Sequence, residues 1–193
     1  MSNEILNNSF QNKATNFIKK NLKNLIILSI FLVLTLFSYF FYNNLQKKNE
    51  LKLSQQYTQA IIQFKEKKIN VSKNLLENII NKKHKFYSPL SLYFIVDNNL
   101  ETNPAKIIIF FDKILSIAFM EKENLNLIKI KKAIFLFSLD DEELIIKTLN
   151  PIINSDSVWR NIAIKLISDY FLSKDESKKA DEYIQLLSNK TKK

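Results

Sequence analysis

The 193-residue sequence contains no glycine and no cysteine, only one histidine and three prolines, and a single arginine against 28 lysines. Average usage of roughly 7% would give about 13 glycines in a chain of this length, so their absence excludes whole classes of chemistry. No phosphate-cradling loop of the Rossmann, P-loop or kinase type is present, and no GxSxG nucleophile elbow. Without cysteine there is no disulfide, iron–sulfur cluster, zinc–thiolate site or thiol nucleophile. One histidine cannot form HExxH or a histidine cluster. Glycine also supplies the positive φ of hairpin turns and bulges, so a β-rich fold is disfavoured and helices joined by Asn- and Asp-rich turns are expected. An AT-rich genome produces the same excess of Lys, Asn, Ile and Phe, and the composition alone therefore assigns no function.

What is present is a long apolar run. No charge occurs between Asn24 and Gln46. The stretch comprises Leu25, Ile26, Ile27, Leu28, Ile30, Phe31, Leu32, Val33, Leu34, Leu36, Phe37, Tyr39, Phe40, Phe41 and Tyr42, interrupted only by Ser29, Thr35 and Ser38. At 1.5 Å per residue an 18-residue helix spans about 27 Å, close to the hydrocarbon thickness of a bilayer. Tyr39 and Tyr42 stand at its far end, where amphipathic rings favour the interface. Phe40-Phe41-Tyr42-Asn43-Asn44 is a poor cleavage context, which predicts an uncleaved anchor over 24–46. Lys13, Lys19, Lys20 and Lys23 precede the span, and Lys47, Lys48 and Lys52 follow it. This predicts a short cytoplasmic tail, 1–23, with the C-terminal domain on the other side of the membrane.

The formal charge of +10 is unevenly distributed: residues 1–46 carry +3, residues 47–85 carry +7, and residues 86–193 balance to zero. The near absence of arginine and the position beside the anchor argue against nucleic acid. Solvated lysine on helix surfaces is the plain reading of the basic stretch, and attraction to anionic lipid the functional one.

From Lys47 onward apolar residues recur at helical spacing. Leu53, Tyr57, Ala60, Ile61 and Phe64 form one stripe, and Val71, Leu75, Leu76, Ile79 and Ile80 the next. Ser88-Pro89 and Asn103-Pro104 each read as an N-cap followed by proline at the first helical position, opening a second pair. A third pair is expected over 125–139 and 141–153, with Pro151 ending or kinking its second helix. Asp140, Asp141, Glu142 and Glu143 open that helix, and capping at its positive dipole end explains them better than a metal or acid–base site. A fourth pair covers 158–172 and 176–187. The doublets Ile79-Ile80, Ile114-Leu115, Ile152-Ile153 and Leu186-Leu187 recur at intervals of 35, 38 and 34 residues. That period predicts an all-α, tetratricopeptide-like hairpin solenoid over 47–193, with 47–85 as stem and first hairpin. Ile164, Ile167, Ser168 and Phe171, followed by Ala180 and Ile184, match the repeat best, with serine where glycine is usual.

Candidate sites are few. His84 lies in a lysine-rich turn and reads as a loop histidine, since neighbouring lysines would disfavour the imidazolium a catalytic base must form. No catalytic residue, cofactor or metal is expected, and no small-molecule substrate. Trp159 and the phenylalanines read first as core. Tyr93, Trp159, Tyr170 and Tyr183 are the candidates for lining a protein-binding groove, and Arg160 for anchoring a partner carboxylate.

The layout resembles the YfgM-like family, single-span tetratricopeptide-like bacterial inner-membrane proteins ancillary to the Sec translocon. The similar features are the polar tail with Phe17-Ile18-Lys19-Lys20-Asn21, the aromatic exit from Tyr39 to Tyr42, and the helix with Tyr57-Thr58-Gln59-Ala60-Ile61-Ile62. The resemblance implies an inner-membrane anchor and a periplasmic repeat domain that binds proteins, assisting translocation or folding of exported chains with the translocon or periplasmic chaperones. It implies no catalytic residues. The alternatives are an anionic-lipid-binding envelope protein and a carboxylate-based hydrolase.

Overall fold

A computed structural model describes the backbone of residues 2–188 and the side chains of residues 20–24 and 26–187. The described residues form α-helices and no strand: α1 (Ser2–Lys65), α2 (Ile69–Asn81), α3 (Tyr87–Asp97), α4 (Pro104–Leu115), α5 (Lys122–Phe137), α6 (Glu142–Ile153), α7 (Arg160–Ser173) and α8 (Ser177–Ser188). The chain divides into two units, Met1–Lys52 and Leu53–Lys193.

In the first unit, helix α1 is long and apolar enough to cross a membrane. Its described apolar side chains from Ile26 to Leu45 are all exposed, from 46% at Leu45 to 71% at Phe37. The side chains of Leu25 and of Phe17, Ile18 and Lys19 lie outside the described residues. Two polar side chains of the run are satisfied within the helix: Ser29 Oγ donates to the Ile26 carbonyl at 2.9 Å and Thr35 Oγ1 to that of Leu32 at 2.8 Å. A helix whose hydroxyls bond its own backbone needs no outside partner for them, as lipid exposure demands.

The second unit holds two apolar cores. The first joins Ala60, Leu76, Ile80, Leu92, Ile95, Phe111, Ile114 and Ile128, and the second Ile130, Leu136, Ile145, Leu149, Ile164, Ile167 and Phe171. Helix α5 feeds both, through residues two positions apart. Each helix from α2 onward packs on the next, with second-neighbour contacts α2 to α4 and α5 to α7. The α2–α3 contact is more extensive than the expected α3–α4 hairpin. Ser72, Ser88 and Ser91 are fully buried in α2 and α3, small side chains that let two backbones approach.

Most element ends follow local chemistry. Asn103 caps α4, its Oδ1 accepting from the backbone N–H of Ala105 at 3.0 Å and of Lys106 at 3.4 Å, with Pro104 behind it. Ser88-Pro89, by contrast, is no N-cap, because α3 begins earlier, at Tyr87. His84 takes the capping role: Nδ1 accepts from the N–H groups of Phe86 and Tyr87, both at 3.2 Å. Ser88 Oγ instead ties the helices together, accepting from His84 N–H and donating to the Ile79 carbonyl, each at 2.9 Å. At α6 the cap is Asp141, whose Oδ1 accepts from Leu144 N–H at 3.0 Å, and not Asp140. Pro151 does not stop α6, which runs two residues further to Ile153.

Among the described residues six take positive φ: Lys67, Lys83, Asn99, Phe119, Asp140 and Asp175. Asn and Asp tolerate the left-handed region; Lys and above all Phe do so at a cost of about 1–2 kcal/mol.

Candidate functional site

The five residues expected at a protein-binding groove fall in two places. Tyr93 packs on the first core, and Trp159, Tyr170 and Tyr183 on the second. Tyr93 is half-buried, with the Lys131 ammonium 5.6 Å from its ring centroid, and burial pushes its phenol up to about 12.

Around α7 and α8 the aromatics form a chain. Phe137 meets Tyr170 at 5.1 Å between ring centroids, Tyr170 meets Phe171 at 5.5 Å, and Phe171 stacks on Tyr183 at 5.7 Å. Tyr170 is buried, and its hydroxyl donates to Asp140 Oδ1 at 2.9 Å. Burial first, then Asp140, raises the phenol to about 12. Lys174, which pairs with the other oxygen of Asp140, and the Tyr170 hydroxyl both hold that carboxyl below its usual range. Tyr170 is therefore a structural tie between α7 and the α5–α6 turn.

Arg160 is likewise engaged internally. Its Nε donates to the Ile153 carbonyl and a terminal nitrogen to the Leu186 carbonyl, both at 2.9 Å, so one side chain joins the ends of α6 and α8. Trp159 is half-buried, and its backbone N–H donates to Ser157 Oγ at 3.1 Å. Ser157 Oγ also donates to Glu123 Oε2 at 2.6 Å and accepts from Asn126 Nδ2 at 3.0 Å. The wide α6–α7 turn, which contains no left-handed residue, is thus held by side chains of α5.

The open surface lies elsewhere on the same hairpin. Between α7 and α8 runs a groove of about 530 Å³ with Ile162, Leu172, Ile184 and Leu187 on its walls and Ser168 and Ala180 in its floor. Ser168 Oγ donates to the Ala180 carbonyl at 3.2 Å, the close approach that the two small residues permit. Lys165, Asp169 and Asp181 rim the groove. Ile162, Leu172 and Ile184 are each more than 40% exposed. Of the four wall residues the sequence reading singled out only Ile184 and, in a doublet, Leu187. The signal was there: Ile162, Ala163, Ile164, Leu166 and Ile167 surround α7 with apolar side chains, more than a single covered face requires.

The acidic run does not converge. Asp140 pairs with Lys174, Asp141 caps α6 and Glu142 accepts from Lys179 at 3.0 Å. Among the described residues no group of three His, Asp or Glu side chains is placed to hold a metal ion. A different carboxylate is the electrostatically extreme one. Glu101 is buried in the α3–α4 turn, with Lys73 Nζ at 2.8 Å and Lys106 Nζ at 3.1 Å, while its Oε1 accepts from Asn103 N–H at 3.0 Å. Those partners, Lys73 foremost, hold it at about 2.

No family model matches the chain, and no curated protein and no solved structure is significantly similar to it.

Proposed function

We propose that this chain is a membrane-anchored, tetratricopeptide-like scaffold that binds other proteins, with the repeat unit on the periplasmic side of a bacterial inner membrane. There it would assist translocation or folding of exported chains, as an ancillary part of a translocon or chaperone network.

One observation carries the binding reading: among the described residues, the α7–α8 hairpin presents an open apolar groove with charged side chains at its rim. A helix or extended segment with apolar residues at alternate or helical spacing would fill it. The repeat reading is supported by a regularity in the polar contacts. Glu77–Lys106, Asn81–Lys113, Lys83–Ser116, Glu123–Ser157, Lys122–Asp156, Asp140–Lys174 and Glu142–Lys179 span 29, 32, 33, 34, 34, 34 and 37 residues. Side chains one repeat apart meet in this way when successive hairpins stack in the same sense.

Photoreactive residues at Leu172 and Ile184 of the full chain, irradiated in intact cells, are expected to crosslink to envelope or translocon proteins, more strongly than one at Tyr93 or Trp159. Adducts to lipid alone, or none, would remove the scaffold reading. Protease added outside intact spheroplasts tests the orientation separately: a periplasmic repeat unit is digested, and a protected one overturns that orientation.

A further inference from the structure

The repeat unit has two chemically different ends. The α2–α3, α4–α5 and α6–α7 turns are neighbours at one of them. Lys83 Nζ donates to Ser116 Oγ at 3.1 Å, Lys113 Nζ to Asn81 Oδ1 at 2.5 Å, and Lys122 Nζ reaches Asp156 at 2.7 Å. The turns at the opposite end are joined by the Asp140–Lys174 pair and hold the Asp140 to Glu143 run together with Asp175 and Glu176.

Each turn of the first end presents one large apolar side chain to solvent: Phe86 is 59% exposed, Phe119 101% and Val158 75%. Phe119 is the extreme case. Its backbone sits at φ 58°, a conformation costly for an aromatic residue, while Ile117 and Met120 on either side are buried. The turn is pinned by its neighbours and holds the phenyl ring out into water, an arrangement with no benefit to folding. Lys82, Lys83 and Lys85, all exposed, stand beside Phe86. The acidic end has no such aromatic tips.

The chain also enters the unit at this end. Tyr57 of α1 contacts Tyr87 at the start of α3, and Phe64 contacts Phe94 one stretch further along, so the two segments run in the same direction. Leu53, N-terminal to Tyr57, therefore lies on the side of the α2–α3 turn. Only residues 46–52 separate it from the apolar run, a length that reaches at most about 30 Å.

We infer that this end of the repeat unit docks on an anionic lipid surface, with Phe86, Phe119 and Val158 entering the headgroup region and Lys82, Lys83 and Lys85 meeting lipid phosphates. Apolar tips ringed by lysine are the chemistry of an interfacial anchor, and the short tether keeps them at a high effective concentration over the bilayer. The inference rests on the membrane anchorage proposed above and is independent of the α7–α8 groove. It also divides the lysines of the basic stretch: Lys65, Lys67 and Lys68, in the α1–α2 turn, belong to the other end and take no part.

The absence of native cysteine makes the test direct. Phe119→Cys, Val158→Cys and Asp175→Cys variants of the full chain, each labelled with a polarity-sensitive fluorophore, are placed in nanodiscs of phosphatidylcholine with or without phosphatidylglycerol. With the anionic lipid, labels at 119 and 158 are expected to shift to the blue and to be quenched by brominated acyl chains, and the label at 175 to stay aqueous. Reversal of Lys82, Lys83 and Lys85 to Glu should reduce docking by about five-fold or more per lysine, and reversal of Lys65, Lys67 and Lys68 should leave it unchanged. Trp159, the single tryptophan and adjacent to Val158, gives the same reading by brominated-lipid quenching without any substitution near the tips. Labels at 119 and 158 as water-accessible as that at 175 overturn the inference. So does protection confined to native membranes and absent from lipid discs, which would assign the tips to a protein. Carbonate extraction reads the anchor separately: a chain that is extracted fails the anchorage, and a retained chain with unprotected tips fails only the docking.

Discussion

The apolar run of α1 and helix α4 are built from the same residue types and meet opposite fates. Ile26 to Leu45 is exposed throughout, whereas in α4 Ile107, Phe110, Phe111 and Ile114 are at most 5% exposed. The difference lies in the interruptions. Lys106, Asp112 and Lys113 break the apolar face of α4 and pair with Glu77, Lys132 and Asn81 on other helices, Lys106 also with Glu101 in the α3–α4 turn. Up to Tyr42 the run in α1 is interrupted only by the hydroxyl residues Ser29, Thr35 and Ser38, two of which bond its own carbonyls. A helix that exports its polar bonds to neighbours is specified for a protein surround, and one that keeps them is specified for lipid.

The strongest way to break this comparison is to exchange the penalties. Ile145→Ala, at a fully buried position, is expected to cost about 2–5 kcal/mol in urea unfolding and to leave carbonate-resistant membrane association intact. Val33→Lys should impose an insertion penalty of about 3 kcal/mol, weakening that association without moving the urea midpoint of the second unit. If either variant moved both readouts, the two regions would not be separately specified.

Acid should discriminate next. Glu101 is held at about 2 against 4.5 for the unperturbed group, so its contribution is present in full above pH 4.5 and is lost as pH falls from there toward 2. That amounts to about 3 kcal/mol on the second unit alone, and the Glu101→Gln variant should flatten the pH dependence in circular dichroism over this window. Smaller still, Asn103→Ala removes the α4 cap and should lower stability by about 1 kcal/mol in the same assay. Smallest and opposite in sign, Phe119→Gly relieves the left-handed strain and should stabilise the fold by roughly 0.5–1 kcal/mol while weakening lipid docking, a combination that a residue retained for folding would not give.

The helical architecture was legible because it rests on local signals. The apolar run needs only its own length, Asn103-Pro104 only its own spacing, and the stripes of α2 and α4 only their periodicity. Errors arose where a distant partner decided the outcome. Ser88 has the look of a cap, but the Ile79 carbonyl takes its hydroxyl, leaving the capping to His84. Asp140 has capping spacing, yet Tyr170 and Lys174, 30 and 34 residues away, claim both its oxygens. The internal bonds of Arg160 and Tyr170, to backbone carbonyls and to a carboxylate across the hairpins, were likewise beyond the reach of local rules. Phe119 was invisible, since no local rule predicts a phenylalanine at positive φ.

The reach of the side-chain contacts between helices, 29 to 37 residues in the series above, has a consequence for how this chain comes into being. A protein whose parts recognise each other over about thirty residues can be completed from its N-terminal end as it is made, each hairpin finding its platform already in place before the next arrives. Such an order spares the unfinished chain from waiting on segments that have not yet been made.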